Sequence, residues 1–238
     1  MQSAKAVGGT VPRAPQLMRA AATEEDKMTK ALALFGASTV ALVASTWAIA
    51  VPSDSEQGRS PAREIRRLSL ELIGQFQNSP PGVTPATHIH YGYVSYIRGL
   101  SVFSGAAQSE RTALFTFFAK AATPRVIPNG PLRIITRVGR LTIYRDPSTN
   151  GDFRRPASFR DGTRVLVARF RQQVVNNTVT GSFTTFHQNT ILSTRPFRAG
   201  GRRVQLGRVG ATFSTFLSGH GNMPGPPSGF FGGYVLSG

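Results

Sequence analysis

The stretch Arg164–Phe197 constrains the fold more than any other part of this chain. It reads RVLVARFRQQVVNN, then TVTG, then SFTTFHQNTILSTRPF. Two runs rich in Val, Ile, Thr and Phe are joined by a short polar turn closed by Gly181, the pattern of a β-hairpin. In the first run Leu166, Ala168, Phe170 and Val174 share one face of a strand, and Val165, Val167, Arg169, Arg171 and Gln173 share the other. The arginines mark the second face as the one that meets water.

The same rhythm continues along the chain. AREIRRLSLELIGQF fits either a helix through Ile65, Leu68, Leu72 and Phe76 or a strand, and the β-rich surroundings favour a strand from about Arg67. Thr87–Arg98 places Ile89, Tyr91, Tyr93 and Ile97 on one face, with His88, His90, Tyr96 and Arg98 on the other. Arg111–Lys120 aligns Ala113, Phe115 and Phe117, and Pro124, Pro128 and Pro131 then frame a turn around Asn129-Gly130. In Leu132–Arg145, Leu132, Ile134, Thr136 and Val138 lie opposite Arg133, Ile135 and Arg137. A bulge at Gly139 returns Leu141 and Ile143 to the apolar face, or Gly139 itself turns a hairpin. Arg203–Ser218 brings Val209, Ala211, Phe213 and Leu217 into phase, and Phe230–Leu236 closes the chain. Eight strands without a credible helix predict an all-β fold, a single antiparallel eight-stranded β-barrel over residues 67–238, with a sandwich as runner-up.

Upstream, residues 1–27 are polar and read as a disordered or mis-called extension. Residues 28–50 carry a short basic start, twenty uncharged residues and the small-x-small pattern Ala48-Ile49-Ala50. They are expected to be a signal peptide cleaved before Val51, with a membrane anchor through residues 31–50 as the alternative. Residues 51–66 read as a linker. Export by the general secretory route places the mature protein outside the cytoplasm or in the cell envelope.

Composition excludes several chemistries. The chain has no Cys, so thiolate metal sites, disulfides and cysteine nucleophiles are ruled out. It has 28 basic against 11 acidic residues, a net charge of +17. Arg202-Arg203, Arg154-Arg155 and the Arg169/Arg171 pair suit an anionic polymer or membrane surface, or simply a solvated basic exterior. Export argues against nucleic acid as a specific partner. There is no Gly-x-Ser-x-Gly elbow, no phosphate-cradling Gly loop before a helix, and no acid pair on one face. His88 and His90 share a strand face and, with His187 or His220, make the sharpest metal pattern. Arg98 lies on that face and no acid accompanies it, so surface imidazoles are expected and no metal or other cofactor.

The runs Leu206-Gly207-Arg208-Val209-Gly210-Ala211-Thr212-Phe213 and Gly229-Phe230-Phe231-Gly232-Gly233-Tyr234 resemble, in strand rhythm, the secreted barrels of the lipocalin and the allene oxide cyclase/dirigent-like families. The lipocalin Gly-x-Trp start has no counterpart, since Trp47 is the single Trp and precedes the barrel. The resemblance implies a cavity for a hydrophobic small molecule, in some members with an isomerase or coupling role. The expected function is therefore binding of an apolar small molecule inside an exported barrel, with no catalytic residue assigned. A cyclase-type enzyme and a basic surface module are the alternatives. The expected cavity face carries Tyr91, Tyr93, Phe115, Phe117, Phe170 and Phe213, whose rings favour burial. The two phenols would orient the ligand, and a solid core is the equal alternative.

Overall fold

In the computed structural model, residues 61–221 and 226–237 are described. The predicted signal peptide or anchor and the N-terminal extension lie outside these residues. The described chain is all-β. Its strands are β1 (Arg63–Ile65), β2 (Ser69–Asn78), β3 (Thr87–Ile97), β4 (Phe115–Asn129), β5 (Leu132–Arg145), β6 (Thr163–Asn177), β7 (Ser182–Thr194), β8 (Phe197–Ala199), β9 (Arg202–Leu206), β10 (Thr212–His220) and β11 (Gly229–Leu236). The one helical element among the described residues is a 3-10 turn at Pro156–Phe159.

Eight of these strands close a barrel in the order β10-β11-β2-β3-β4-β5-β6-β7, and every neighbouring pair is antiparallel. Closure leaves no edge in the barrel to recruit another chain. The central hairpin forms as its pattern predicts. Asn177 Oδ1 accepts from the backbone N–H groups of Val179 and Thr180, and Gly181 takes a left-handed φ of 73°. Arg169 and Arg171 are exposed while Leu166, Ala168, Phe170 and Val174 are buried.

Three elements differ from the sequence expectation. β4 runs on through Pro124 and Pro128 rather than stopping at them. Its pairing with β3 ends at Ala122 and a register shift falls between Ala122 and Arg125, so the prolines sit where no partner strand needs their N–H. The segment Arg203–Ser218 is two strands, β9 and β10, separated at Gly207–Ala211. β5 has neither bulge nor turn at Gly139; its irregularity lies at Ile143/Tyr144. Gly139 is in register with Ala121 and Phe170, and the close packing there requires glycine, since a Cβ would lie 2.3 Å from the Lys120 carbonyl and 2.8 Å from the Phe170 ring. The β5 face that continues through Leu141 into the core therefore also carries Arg137 and Ile135 inward.

The barrel has two unlike ends. At one, β1, β9 and β8 form a small separate sheet, with β1 parallel to β9. β1 lies within the stretch read from sequence as linker. Phe197, Val204 and Leu206 from this sheet join Leu68, Leu70, Ile97, Val102, Phe115, Leu166 and Ile191 in the apolar core and plug that end. At the other end are the connections β2–β3, β4–β5, β6–β7 and β10–β11, referred to below as the hairpin end.

Candidate functional site

Register decides which side chains enter the barrel. Gly74 pairs with Gly92, Phe76 with His90 and Asn78 with His88. A Cβ on Gly74 would press on the rings of Phe231 and Phe117, so this set faces inward. Ile73, on the opposite face, is 41 % exposed and pairs with Tyr93. Tyr91 and Tyr93 consequently point outward, and their assignment to the cavity face is corrected. They are buried all the same, because the connection between β5 and β6 folds over them. Phe159 stands 5.6 Å from Tyr91 and Phe153 6.2 Å from Tyr93, ring centre to ring centre. The Tyr91 hydroxyl donates to Gln75 Oε1 and accepts from Gln77 Nε2, both at 3.2 Å. The other four expected residues, Phe115, Phe117, Phe170 and Phe213, do face inward and are buried.

The surface assignment of the histidines is likewise corrected. His88, His90 and His187 are all buried inside the barrel, and His220 lies apart on an exposed stretch of β10. Parity misled here: the tyrosines looked like the core face because the cover over them is a loop, not another strand.

These imidazoles belong to a polar cluster at the hairpin end. His88 Nδ1 donates to Asn78 Oδ1 at 2.7 Å, which leaves its Nε2 as an acceptor. That nitrogen faces Arg137 Nη1 at 3.2 Å and makes a short contact with His90 Nε2. Arg137 Nε lies 3.4 Å from Thr123 Oγ1. His187 stacks against Phe170 at 5.1 Å and shares a 3.1 Å hydrogen bond with Thr185 Oγ1. Gln172 is wholly buried, opposite both Arg137 and His187 in register, and neither its Nε2 nor its Oε1 has a partner. An unpaired buried amide costs about 1–3 kcal/mol, so its persistence asks for a partner.

Burial, with the charge of Arg137 beside them, holds all three imidazoles neutral. His88 and His90 are pushed well below the usual imidazole range by burial first, and then by the neighbouring imidazoles and Arg137, since a second positive charge in the cluster would be repelled. His187 is lowered to about 3 by burial and then by Arg137. Burial brings Arg137 down to about 10, which leaves it charged at neutral pH. No carboxylate answers that charge among the described residues. The three ion pairs there are Arg66–Glu64, Arg154–Asp152 and Arg155–Asp152, all outside the barrel.

The cluster borders a cavity of about 90 Å³. Its polar wall is Asn78, His88, His90, Arg137, Gln172, Asn176 and Thr185, and its apolar wall includes Phe76, Ile135, Val174, Phe183, Leu217 and Phe231. Deeper in, past His90 and His187, Phe117, Phe170, Leu141 and Leu72 leave a void of about 10 Å³, no more than the space of a single water. The apolar half of the barrel is packed solid.

Comparison with protein-family models, with curated proteins and with solved structures finds no match to this chain. The site chemistry therefore carries the functional reading. No group of three His, Cys, Asp or Glu side chains among the described residues is arranged to hold a metal ion. The guanidinium against His88 Nε2 opposes a cation at the point where the imidazoles converge.

Proposed function

We propose that this protein is an exported β-barrel that binds an apolar small molecule at the hairpin end of its interior, without catalysis. The observation that carries the reading is the cavity itself, a concave site with mixed apolar and polar walls and unpartnered polar atoms beside it. The binding face differs from the one expected from sequence. Phe117, Phe170 and Phe213 belong to the packed interior, whereas Phe76, Phe183, Leu217 and Phe231 form apolar wall beside the His–Arg cluster. At about 90 Å³ the enclosed space is below the ~150 Å³ that accommodates benzene. Only one end of a ligand enters, and its body rests at the mouth.

Titration of the full chain with a hydrophobic fluorescent probe tests this reading. Saturable binding that is lost in a folded Leu217→Arg variant supports it. No binding by the folded wild type, or unchanged binding by the variant, removes it. Export is tested by sequencing the N-terminus of protein recovered outside the cytoplasm, which is expected to begin at Val51.

A second reading has one observation of its own. A surface cleft of about 560 Å³ at the plugged end is lined by Arg63, Arg145, Arg198 and Arg202 without an acid, which suits an anionic polymer or lipid surface. Retention on a sulfated polysaccharide column, released by salt and weakened by Arg198→Ala with Arg202→Ala, is the expected behaviour under that reading. Flow-through in low salt removes it.

A further inference from the structure

We propose that the ligand of the hairpin-end cavity is a monocarboxylate with an apolar body, its carboxylate held by Arg137 and Gln172. The inference rests on the cavity-binding reading above and names the chemical class it takes.

Four observations converge on this class. Arg137 points into a barrel interior whose other ionisable side chains are His88, His90 and His187, each pushed towards its neutral form. The acids of the described chain stand elsewhere. Glu71 is exposed on β2, Glu64 belongs to the plug sheet, and Glu110, Asp146, Asp152 and Asp161 lie in the connections away from the hairpin end. The interior therefore carries one cation and no counter-ion. Arg137 is partly buried, and a charge withdrawn from water in this way costs free energy that pairing with an anion offsets.

Second, the guanidinium keeps donors to spare. Of its five N–H groups, one meets Thr123 and one meets His88. Its two terminal nitrogens retain free N–H groups, which together match the two oxygens of a carboxylate. Third, Gln172 stands opposite Arg137 in the β5–β6 register, and its buried Nε2 has no partner. That amide supplies a further donor to the same anion. Fourth, the walls beyond the cluster are aromatic and aliphatic: Phe76 and Phe183 stack edge-on at 5.5 Å. One cation balances one negative charge, so a dianion such as phosphate would leave charge unmatched against these rings.

Calorimetric titration of the full chain at neutral pH tests the proposal. The probes are benzoate and hexanoate, their neutral amides benzamide and hexanamide, and inorganic phosphate. The wild type is expected to bind each carboxylate at least about tenfold more tightly than its amide, the size of preference that one charged hydrogen-bonded contact gives. Arg137→Met is expected to abolish that preference and leave amide binding within a few-fold. Gln172→Glu, which supplies an internal counter-ion, is expected to do the same in a barrel that keeps its fold. Equal binding of acid and amide overturns the carboxylate and leaves cavity binding standing. A preference that survives in both folded variants overturns the residues assigned. Phosphate binding as tight as the carboxylates makes the site a general anion site and overturns the apolar-bodied acid. If no organic probe binds the folded wild type, the inference and the cavity reading fall together.

Discussion

The two halves of the barrel interior are built from the same strands and obey opposite rules. Towards the plug, Leu70, Val94, Phe115, Ile143, Leu166, Ile191 and Val235 pack into a continuous apolar core. Towards the hairpins, the same strands deliver Asn78, His88, Arg137, Gln172 and Thr185 into a cavity with unpaired polar atoms. β5 makes the contrast within a single strand: Ile143 and Leu141 lie in the packed half, and Arg137 in the polar half, on one face. Close apolar packing is concentrated in one half, and unpaired polar side chains in the other. Such a division is how a small barrel can keep costly polar groups buried.

The largest expected effect lies in the packed half. Phe115 is 1 % exposed and meets Phe197 of the plug edge-on at 5.4 Å. Phe115→Ala is expected to cost about 3–5 kcal/mol in denaturant unfolding. Phe183→Ala, at the partly open hairpin end, is expected to cost well under half of that. Equal losses at the two positions would erase the distinction between the halves.

The next effect belongs to the polar half alone. His88, His90 and His187 all have folded-state values depressed below the ordinary imidazole value of 6.5. Below pH 6.5 the unfolded chain binds protons that the folded chain refuses, so stability falls as pH falls. Each imidazole contributes about 1.4 kcal/mol per pH unit, and for His187 the loss continues down to about pH 3. Urea unfolding at a series of pH values is expected to give this slope, and His187→Gln to reduce it. A flat profile between pH 6.5 and 4.5 would show that the imidazoles are not held neutral.

How far the sequence foretold this molecule follows the same boundary. The strand rhythm, the hairpin at Thr178–Gly181 and the inward set Leu166, Ala168, Phe170 and Val174 were all legible, because alternation reports burial wherever one face meets water. The rule fails on β3, where both faces are buried. Tyr91 and Tyr93 are covered by Phe153 and Phe159 from a loop, so alternation there could not distinguish barrel interior from covered exterior. Gly74, Gly92 and Gly139 carried a usable signal. Gly74 and Gly139 leave room for neighbouring rings, and the histidines share the face of Gly92. Arg137 was hidden by the bulge expected at Gly139. A straight β5 places it inside, and only the register with Ala121 and Phe170 reveals that.

Arg137 gives a smaller effect with an unusual sign. Arg137 is partly buried without a counter-ion, so replacing it with a packed apolar side chain relieves a desolvation cost that no ion pair offsets. Arg137→Met is therefore expected to change stability at pH 7 by less than about 1 kcal/mol, or to raise it, although two hydrogen bonds are lost. It also removes a cation that holds the three imidazoles down, so the acid limb should become shallower. A loss of several kcal/mol at neutral pH would make Arg137 a structural residue and break the assignment of function to this half.

The smallest effect separates inside from outside. Tyr91 is 0 % exposed, yet its hydroxyl faces Gln75 and Gln77 on the outer surface of β2 rather than the cavity. Tyr91→Phe keeps the ring against Phe159 and removes one hydroxyl with two long hydrogen bonds. The expected cost is at most about 1 kcal/mol, measured as a lower denaturation midpoint at unchanged slope. Ligand affinity is expected to stay within twofold of the wild type, because no atom of this side chain borders the hairpin-end cavity. A Tyr91→Phe variant that retained its stability but lost binding would return the site to the tyrosine face of β3. It would also place the ligand beneath the β5–β6 connection, against Phe153 and Phe159, where the barrel interior plays no part.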